Sequence, residues 1–130
     1  MSHRPIDLLI VMLGTNDQKH RFGLGPQDVA LGVARLVREA MAMGVVGKAL
    51  VICPPVVEER GDLAAIFRGA EARMAGLPGE MARFALDEGA AFLDAGIHIG
   101  VDPIDGVHFS AKSHAMLGKV VAAKVREVCP

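Results

Sequence analysis

An α/β fold built on three parallel strands is what this sequence predicts, and three observations predict it. Short apolar runs alternate with helix-patterned stretches three times, in the order βαβαβα. The first of these runs is continuously aliphatic, the pattern of a strand buried on both faces. No repeat or low-complexity linker divides the chain, and its 130 residues suit one domain, 1–130, with one core.

Ile6 to Leu13 is the first strand, apolar except for Asp7. The loop "GLGPQD" then opens a helix, with Pro26 in the first turn and Asp28 near the positive end of the helix dipole. Its buried stripe is Val29, Val33, Leu36, Val37 and Ala40, while Arg35, Arg38 and Glu39 face water and Gly44 stops it. Lys48 to Cys53, "KALVIC", is the second strand, closed by Pro54-Pro55. Asp62 caps a helix running to about Ala75; "GLPG" breaks it, and a second piece covers Glu80 to Glu88. Ala90 to Leu93 is the third strand, leading into Asp94. After a loop from Gly96 to Phe109, Ser110 caps a last helix with the stripe Leu117, Val120, Val121, Val125 and Val128.

Right-handed crossovers between three strands advancing in one direction place the connecting helices on one face, leaving only the last helix for the other. The first strand carries no Pro, Lys or inward charge to discourage pairing, so it reads as a central strand. The chain supplies no neighbour for it. The expectation is therefore an incomplete fold with an unpaired strand edge, prone to form homo-oligomers, to aggregate or to be partly disordered.

Composition removes several classes of function. The longest clean apolar run, Leu8 to Leu13, is strand-sized, so no membrane partner is expected. With a net charge of −1 and singly scattered basic residues, neither a nucleic-acid stripe nor a polybasic membrane patch is present. The chain has no Trp and no Tyr, the usual stacking platforms for bases and sugars. Cys53 and Cys129 match no metal or redox spacing, and a reducing compartment follows. The start "MSHRPID" shows no basic segment followed by an apolar one, which by itself predicts a cytoplasmic protein.

Two polar clusters stand out. "GTND", Gly14 to Asp17, ends the first strand; it is either turn chemistry or a set of side chains delivered to the carboxyl end of a parallel sheet. "DPIDGVHFS", Asp102 to Ser110, places Asp105 three residues before His108. That spacing lets the carboxylate fold back onto one imidazole nitrogen, holding the tautomer and leaving the other nitrogen to act as a base. An Asp-Gly turn beside an incidental solvent histidine is the competing reading.

Taken together, "GTND" after a buried strand and "DGVH" before a terminal helix resemble two signature blocks of the SGNH hydrolases, the GDSL-type esterases and lipases. The likeness is nearest to the arylesterase-like branch through "MLGTND" and "DGVHF", is supported by "LVICPP" and "FLDAG", and runs over essentially the whole chain. It implies a flavodoxin-like three-layer α/β/α fold, here an incomplete version with three strands. It also implies hydrolysis of small acyl or aryl carboxylic esters through a serine acyl-enzyme, with no metal or cofactor. By the same resemblance Asn16 donates its amide to an oxyanion hole, where losing one donor costs about 3 kcal/mol of transition-state stabilisation. Gly14 permits the tight exit and Asp17 braces the loop. His108 becomes the general base and then the general acid, oriented by Asp105.

One departure is severe. The Gly-Asp-Ser block with the nucleophile, and the block with the oxyanion-hole glycine, are absent. Of the three serines, Ser2 is terminal, Ser110 reads as a helix cap and Ser113 lies inside the last helix. Cys53 is the one substitute at a strand end, and a packed, inert thiol is the expectation for it. No nucleophile is therefore assigned within the chain. Because "SHRPID" continues the resemblance without a break, an amino-terminal truncation is expected, and the missing leader says little about location. A noncatalytic module that binds through its strand edge is the alternative. An unrelated flavodoxin-like binding domain fits less well, because "GTNDQKHRFGLG" is no glycine-rich phosphate cradle.

Overall fold

The computed structural model describes residues 5–130. Three parallel strands, β1 (Ile6–Val11), β2 (Val46–Cys53) and β3 (Ala91–Asp94), form one sheet in the order β1-β2-β3. The helices are α1 (Pro26–Ala42), the single turn α2 (Ala70–Arg73), α3 (Leu77–Asp87) and α4 (Ala111–Val128).

The middle strand organises both layers. Residues Ala49 to Cys53 are all buried, and their side chains alternate between faces. Ala49, Val51 and Cys53 pack with Val29, Val33 and Val37 of α1 and with Leu77, Met81 and Ala85 of α3. Leu50 and Ile52 pack on the opposite face with Ile99 and Leu117, flanked by Val121 and Val125 of α4. The two connecting helices thus share one face and the terminal helix takes the other, as right-handed crossovers require.

Four details depart from the sequence expectation. The first strand ends at Val11 and is not buried on both faces, Ile6 and Ile10 being 43% and 41% exposed, although its unpaired edge is the one expected of it. Among the described residues it pairs with β2 alone, and its Leu8 packs on the cluster that α4 covers. In α1 the buried arc runs through Ala30 and Ala34 beside the valines, small side chains that admit α3 closely, so Leu36 is left exposed. Asp62 begins no long helix. It lies in a short 3₁₀ turn, Gly61–Leu63, and the backbone turns left-handed at Gly69 before α2. "GLPG" opens α3 instead of breaking a helix, because Pro78 occupies the first turn, where its missing N–H costs no hydrogen bond.

Elsewhere the local signals act as read. The carboxylate of Asp28 accepts the Gly25 N–H at 2.9 Å at the start of α1, and Ser110 Oγ accepts the Ser113 N–H at 3.1 Å at the start of α4. Among the described residues no helix is long and apolar enough to cross a membrane.

Leu50 is fully buried at the centre of the sheet. Leu50→Ala is expected to remove about 2–5 kcal/mol of stability. The effect is read as a lower urea midpoint at unchanged slope, with unfolding followed by far-ultraviolet circular dichroism.

Candidate active site

The chain leaves β1 through Met12 and Leu13 into Gly14, whose φ of +126° only glycine adopts without strain. A Cβ at Gly14 would press on Val29 at 3.2 Å, close to Met81 and Pro54, so the exit is wedged between both helices and the end of β2. A 3₁₀ turn, Asn16–Gln18, follows and leaves Asn16 exposed. The brace of this turn is Gln18, a residue sequence reasoning passed over. It is wholly buried; its Nε2 donates to the Gly14 carbonyl at 3.2 Å and its Oε1 accepts the Val57 N–H at 3.1 Å. Asp17, expected to brace the loop, makes no side-chain hydrogen bond among the described residues. Arg73 fastens the turn from outside, its guanidinium donating to the carbonyls of Gln18 and Leu24, each at 3.1 Å. A glutamine among charged residues carries no periodic signal of burial, so nothing local marks Gln18.

The second loop is closed on itself by Asp102. Its N–H donates to the His108 carbonyl at 2.7 Å, and its carbonyl accepts the Gly106 N–H at 2.8 Å. Asp105 Oδ1 accepts the backbone N–H groups of Val107 at 2.8 Å and His108 at 2.9 Å, while Oδ2 meets His108 Nδ1 at 2.5 Å. The carboxyl of Asp105 is held at about 2, first by those two backbone donors and then by the imidazole. It stays ionised across the working range, and so holds Nδ1 protonated and Nε2 unprotonated in the neutral ring.

Two glycines lock this loop onto the segment after β2. Gly106 and Gly61 both have positive φ; a Cβ on Gly106 would strike the Glu58 carbonyl oxygen, and one on Gly61 would strike that of Ile104. The Glu58 N–H donates to the Gly106 carbonyl at 2.8 Å. Beneath them Val107 is buried with Val57, Phe67 and Ala70. The Asp105–His108 pair therefore rests on a backbone-to-backbone contact.

Both loops meet beyond the carboxyl end of β1. Asn16 and His108 line one open cavity of about 280 Å³ with Met12, Thr15, Val107, Phe109 and His114. The Phe109 and His114 rings stand 5.4 Å apart and tilted by 60°. His108 Nε2 has no hydrogen-bond partner among the described residues. An amide donor and an imidazole with a nitrogen unbonded among the described residues thus border a single space, with a carboxylate behind the imidazole. This arrangement can move a proton and stabilise a nearby oxyanion.

Other candidates stand apart. Cys53 is buried on the α1/α3 face, and burial, with the Asp94 carboxylate second, pushes its thiol up to about 12. A thiol in that state is packing, not a nucleophile. Ser110 caps α4, and Ser113 Oγ donates to the Gly100 carbonyl at 3.4 Å. Neither lines the cavity of Asn16 and His108. Ser2 lies outside the described residues. Among the described residues no group of three or more His, Cys, Asp or Glu is placed to hold a metal ion.

Residues 2–116 match the GDSL-like Lipase/Acylhydrolase family. The native aryl esterase of M. smegmatis is 36% identical with a TM-score of 0.86, the match covering 96% of this chain and 62% of that one. Est24, a carbohydrate acetylesterase from Sinorhizobium meliloti, is 35% identical with a TM-score of 0.87, covering 97% and 63%. A GDSL-like lipase from Bacteroides thetaiotaomicron VPI-5482, 16% identical with a TM-score of 0.68 over 93% and 62%, shares the fold alone. The chain spans a little under two thirds of the length of these solved structures. No curated protein matches it significantly.

The lowered Asp105 carboxyl sets a pH dependence. Its stabilising effect is complete above its ordinary value of 3.8 and is lost as the pH falls towards about 2. Asp105→Asn is expected to flatten the stability profile over that window. Urea midpoints at successive pH values, measured on both forms, check this.

Proposed function

The chain belongs to the GDSL-like lipase/acylhydrolase family, with the SGNH-hydrolase fold of its relatives, and from that membership we propose that it carries part of the catalytic machinery of a carboxylic ester hydrolase. Asn16, His108 and Asp105 are the parts it carries. The observation that supports this most directly is the Asp105–His108 contact at 2.5 Å, on a cavity that Asn16 also lines.

The nucleophile in this reading is a serine outside these 130 residues. His108 Nε2 takes the serine proton as the hydroxyl attacks the ester carbonyl, and Asp105 stabilises the imidazolium so formed. The carbonyl oxygen becomes an oxyanion and receives the side-chain N–H of Asn16. The tetrahedral intermediate collapses with loss of the alcohol, which takes its proton from His108, leaving an acyl-serine. Water, deprotonated by His108, then hydrolyses the acyl-enzyme. Neither a metal nor a cofactor is required. Because two similar solved proteins are an aryl esterase and a carbohydrate acetylesterase, small acyl and aryl esters are the proposed substrates.

A second reading is a noncatalytic module that pairs through β1, favoured by the edge of that strand, unpaired among the described residues, and by the exposed Ile6 and Ile10. Self-association of the isolated chain through this edge is expected at high concentration. Light scattering checks it, with Ile10→Lys reducing the associated fraction.

With p-nitrophenyl acetate the 130-residue chain alone is expected to show no turnover above that of an exposed histidine. Joined to a serine-bearing amino-terminal segment of the family, it is expected to turn over. In that form His108→Ala abolishes activity. Asp105→Asn lowers it severely by favouring the wrong imidazole tautomer. Asn16→Ala lowers kcat about a hundredfold or more with a smaller change in KM. Saturable turnover of the chain alone that survives His108→Ala would overturn the reading.

A further inference from the structure

One 3₁₀ turn beyond Asn16 lies a second concavity, of about 300 Å³, lined by Lys19, His20, Arg21, Ala65 and Ile66. Its two walls are fastened together. The His20 N–H donates to the Ile66 carbonyl at 2.9 Å, and His20 Nε2 lies 3.0 Å from Arg68 Nη2. A guanidinium only donates, so this nitrogen accepts and the ring fixes the Arg68 side chain beside it. Arg73 ties the same two segments from behind, donating to the carbonyls of Gln18 at 3.1 Å and Arg68 at 3.3 Å. Phe67, buried between Ile66 and Arg68, anchors the outer wall.

The cations here, like Lys112, Lys119 and Arg126 of α4, differ from four arginines that are neutralised locally. Arg35, Arg38, Arg60 and Arg83 are each paired with a glutamate. Lys19, Arg21 and Arg68 have no carboxylate partner among the described residues. Glu59, the acid on the adjoining segment, accepts the backbone N–H groups of Gly69 and Glu71 instead. Lys19 and Arg21 thus line the concavity with the apolar Ala65 and Ile66, and Arg68 is bonded to its His20, within a chain whose net charge is −1. Arg21 also lies 4.9 Å over the Phe22 ring, which leaves its N–H edge available for hydrogen bonding.

We propose that this concavity is an anion subsite. It takes a carboxylate or phosphate group borne by a small substrate, with the apolar part of that substrate resting on Ala65 and Ile66. The Lys19 N–H donates to the Asn16 carbonyl at 3.2 Å, so the subsite is continuous with the turn that carries the oxyanion donor. Its assignment to an ester substrate rests on the hydrolase reading; the binding itself does not. Charge-assisted bonds from a preorganised guanidinium and an ammonium supply the recognition.

The test is a titration of the 130-residue chain, at low ionic strength, with inorganic phosphate and separately with monomethyl succinate, followed by amide NMR shifts. Saturable shifts confined to residues 19–22 and 65–68 are expected for both. Arg68→Gln and Lys19→Gln should each weaken binding about tenfold, while Arg35→Gln and His108→Ala leave it unchanged. Lys19 makes no side-chain hydrogen bond among the described residues, so its variant tests binding without disturbing the wall. Shifts spread evenly over the basic surface, no saturation, or undiminished affinity in Lys19→Gln would overturn the proposal. So would sedimentation with phosphatidylserine vesicles in the absence of any shift from the two small anions. Inactivity of the serine-bearing form alongside intact anion binding would count against the hydrolase reading alone.

Discussion

The rest of the molecule hangs on the burial of β2 on both faces. A strand covered on each side and hydrogen-bonded along each edge needs apolar side chains at every position, and Ala49 to Cys53 supply them. From this follows the division of labour among helices. Val51 and Cys53 require the valine stripe of α1 and the Leu77–Met81–Ala85 stripe of α3; Leu50 and Ile52 require α4. Parallel strands then point their carboxyl ends the same way, so the loops after β1 and β3 emerge at one end of the sheet.

A common direction does not by itself place side chains within reach of each other. That precision comes from backbone packed on backbone. Gly14 lies where a methyl group would press on Val29, and Gly61 and Gly106 lie where it would strike carbonyl oxygens. Gln18 then holds the first loop to Val57 on the segment after β2, and Glu58 holds the second loop to the same segment through Gly106. The stretch from Val57 to Gly61 is thereby the shared footing of Asn16 and His108. Its rigidity depends on the small cluster of Val57, Phe67, Ala70 and Val107, which neither face of the sheet provides.

Electrostatics divides this end of the molecule into two characters. At the Asp105–His108 pair a carboxylate is saturated by backbone donors and remains ionised, orienting one imidazole. Around Lys19, Arg21 and Arg68 positive charge is left without a carboxylate partner among the described residues, and Arg68 is held by His20 and Arg73. The two are joined by a single turn, so a ligand bridging them would be fixed at both ends by groups already oriented. Preorganisation of this kind lowers the entropy lost on binding.

The sequence by itself determined the strand order of events along the chain, the parallel α/β class, Asp28 at the positive end of α1 and the cap at Ser110, and it permitted the pairing of Asp105 with His108, which the family resemblance implied. Each of these is local: apolar period, turn chemistry and a three-residue spacing act within one segment. Only the tertiary structure decided that Leu36 faces water and that residues 62–76 coil around Phe67 instead of forming one helix. It alone decided that Gln18 braces the turn that carries Asn16 and that Arg68 bonds to His20. Each of those outcomes depends on a partner about 40 to 50 residues away or on which faces remain uncovered once the helices have packed. Burial is a property of the assembled layers, and no period in a single segment encodes what lies across from it.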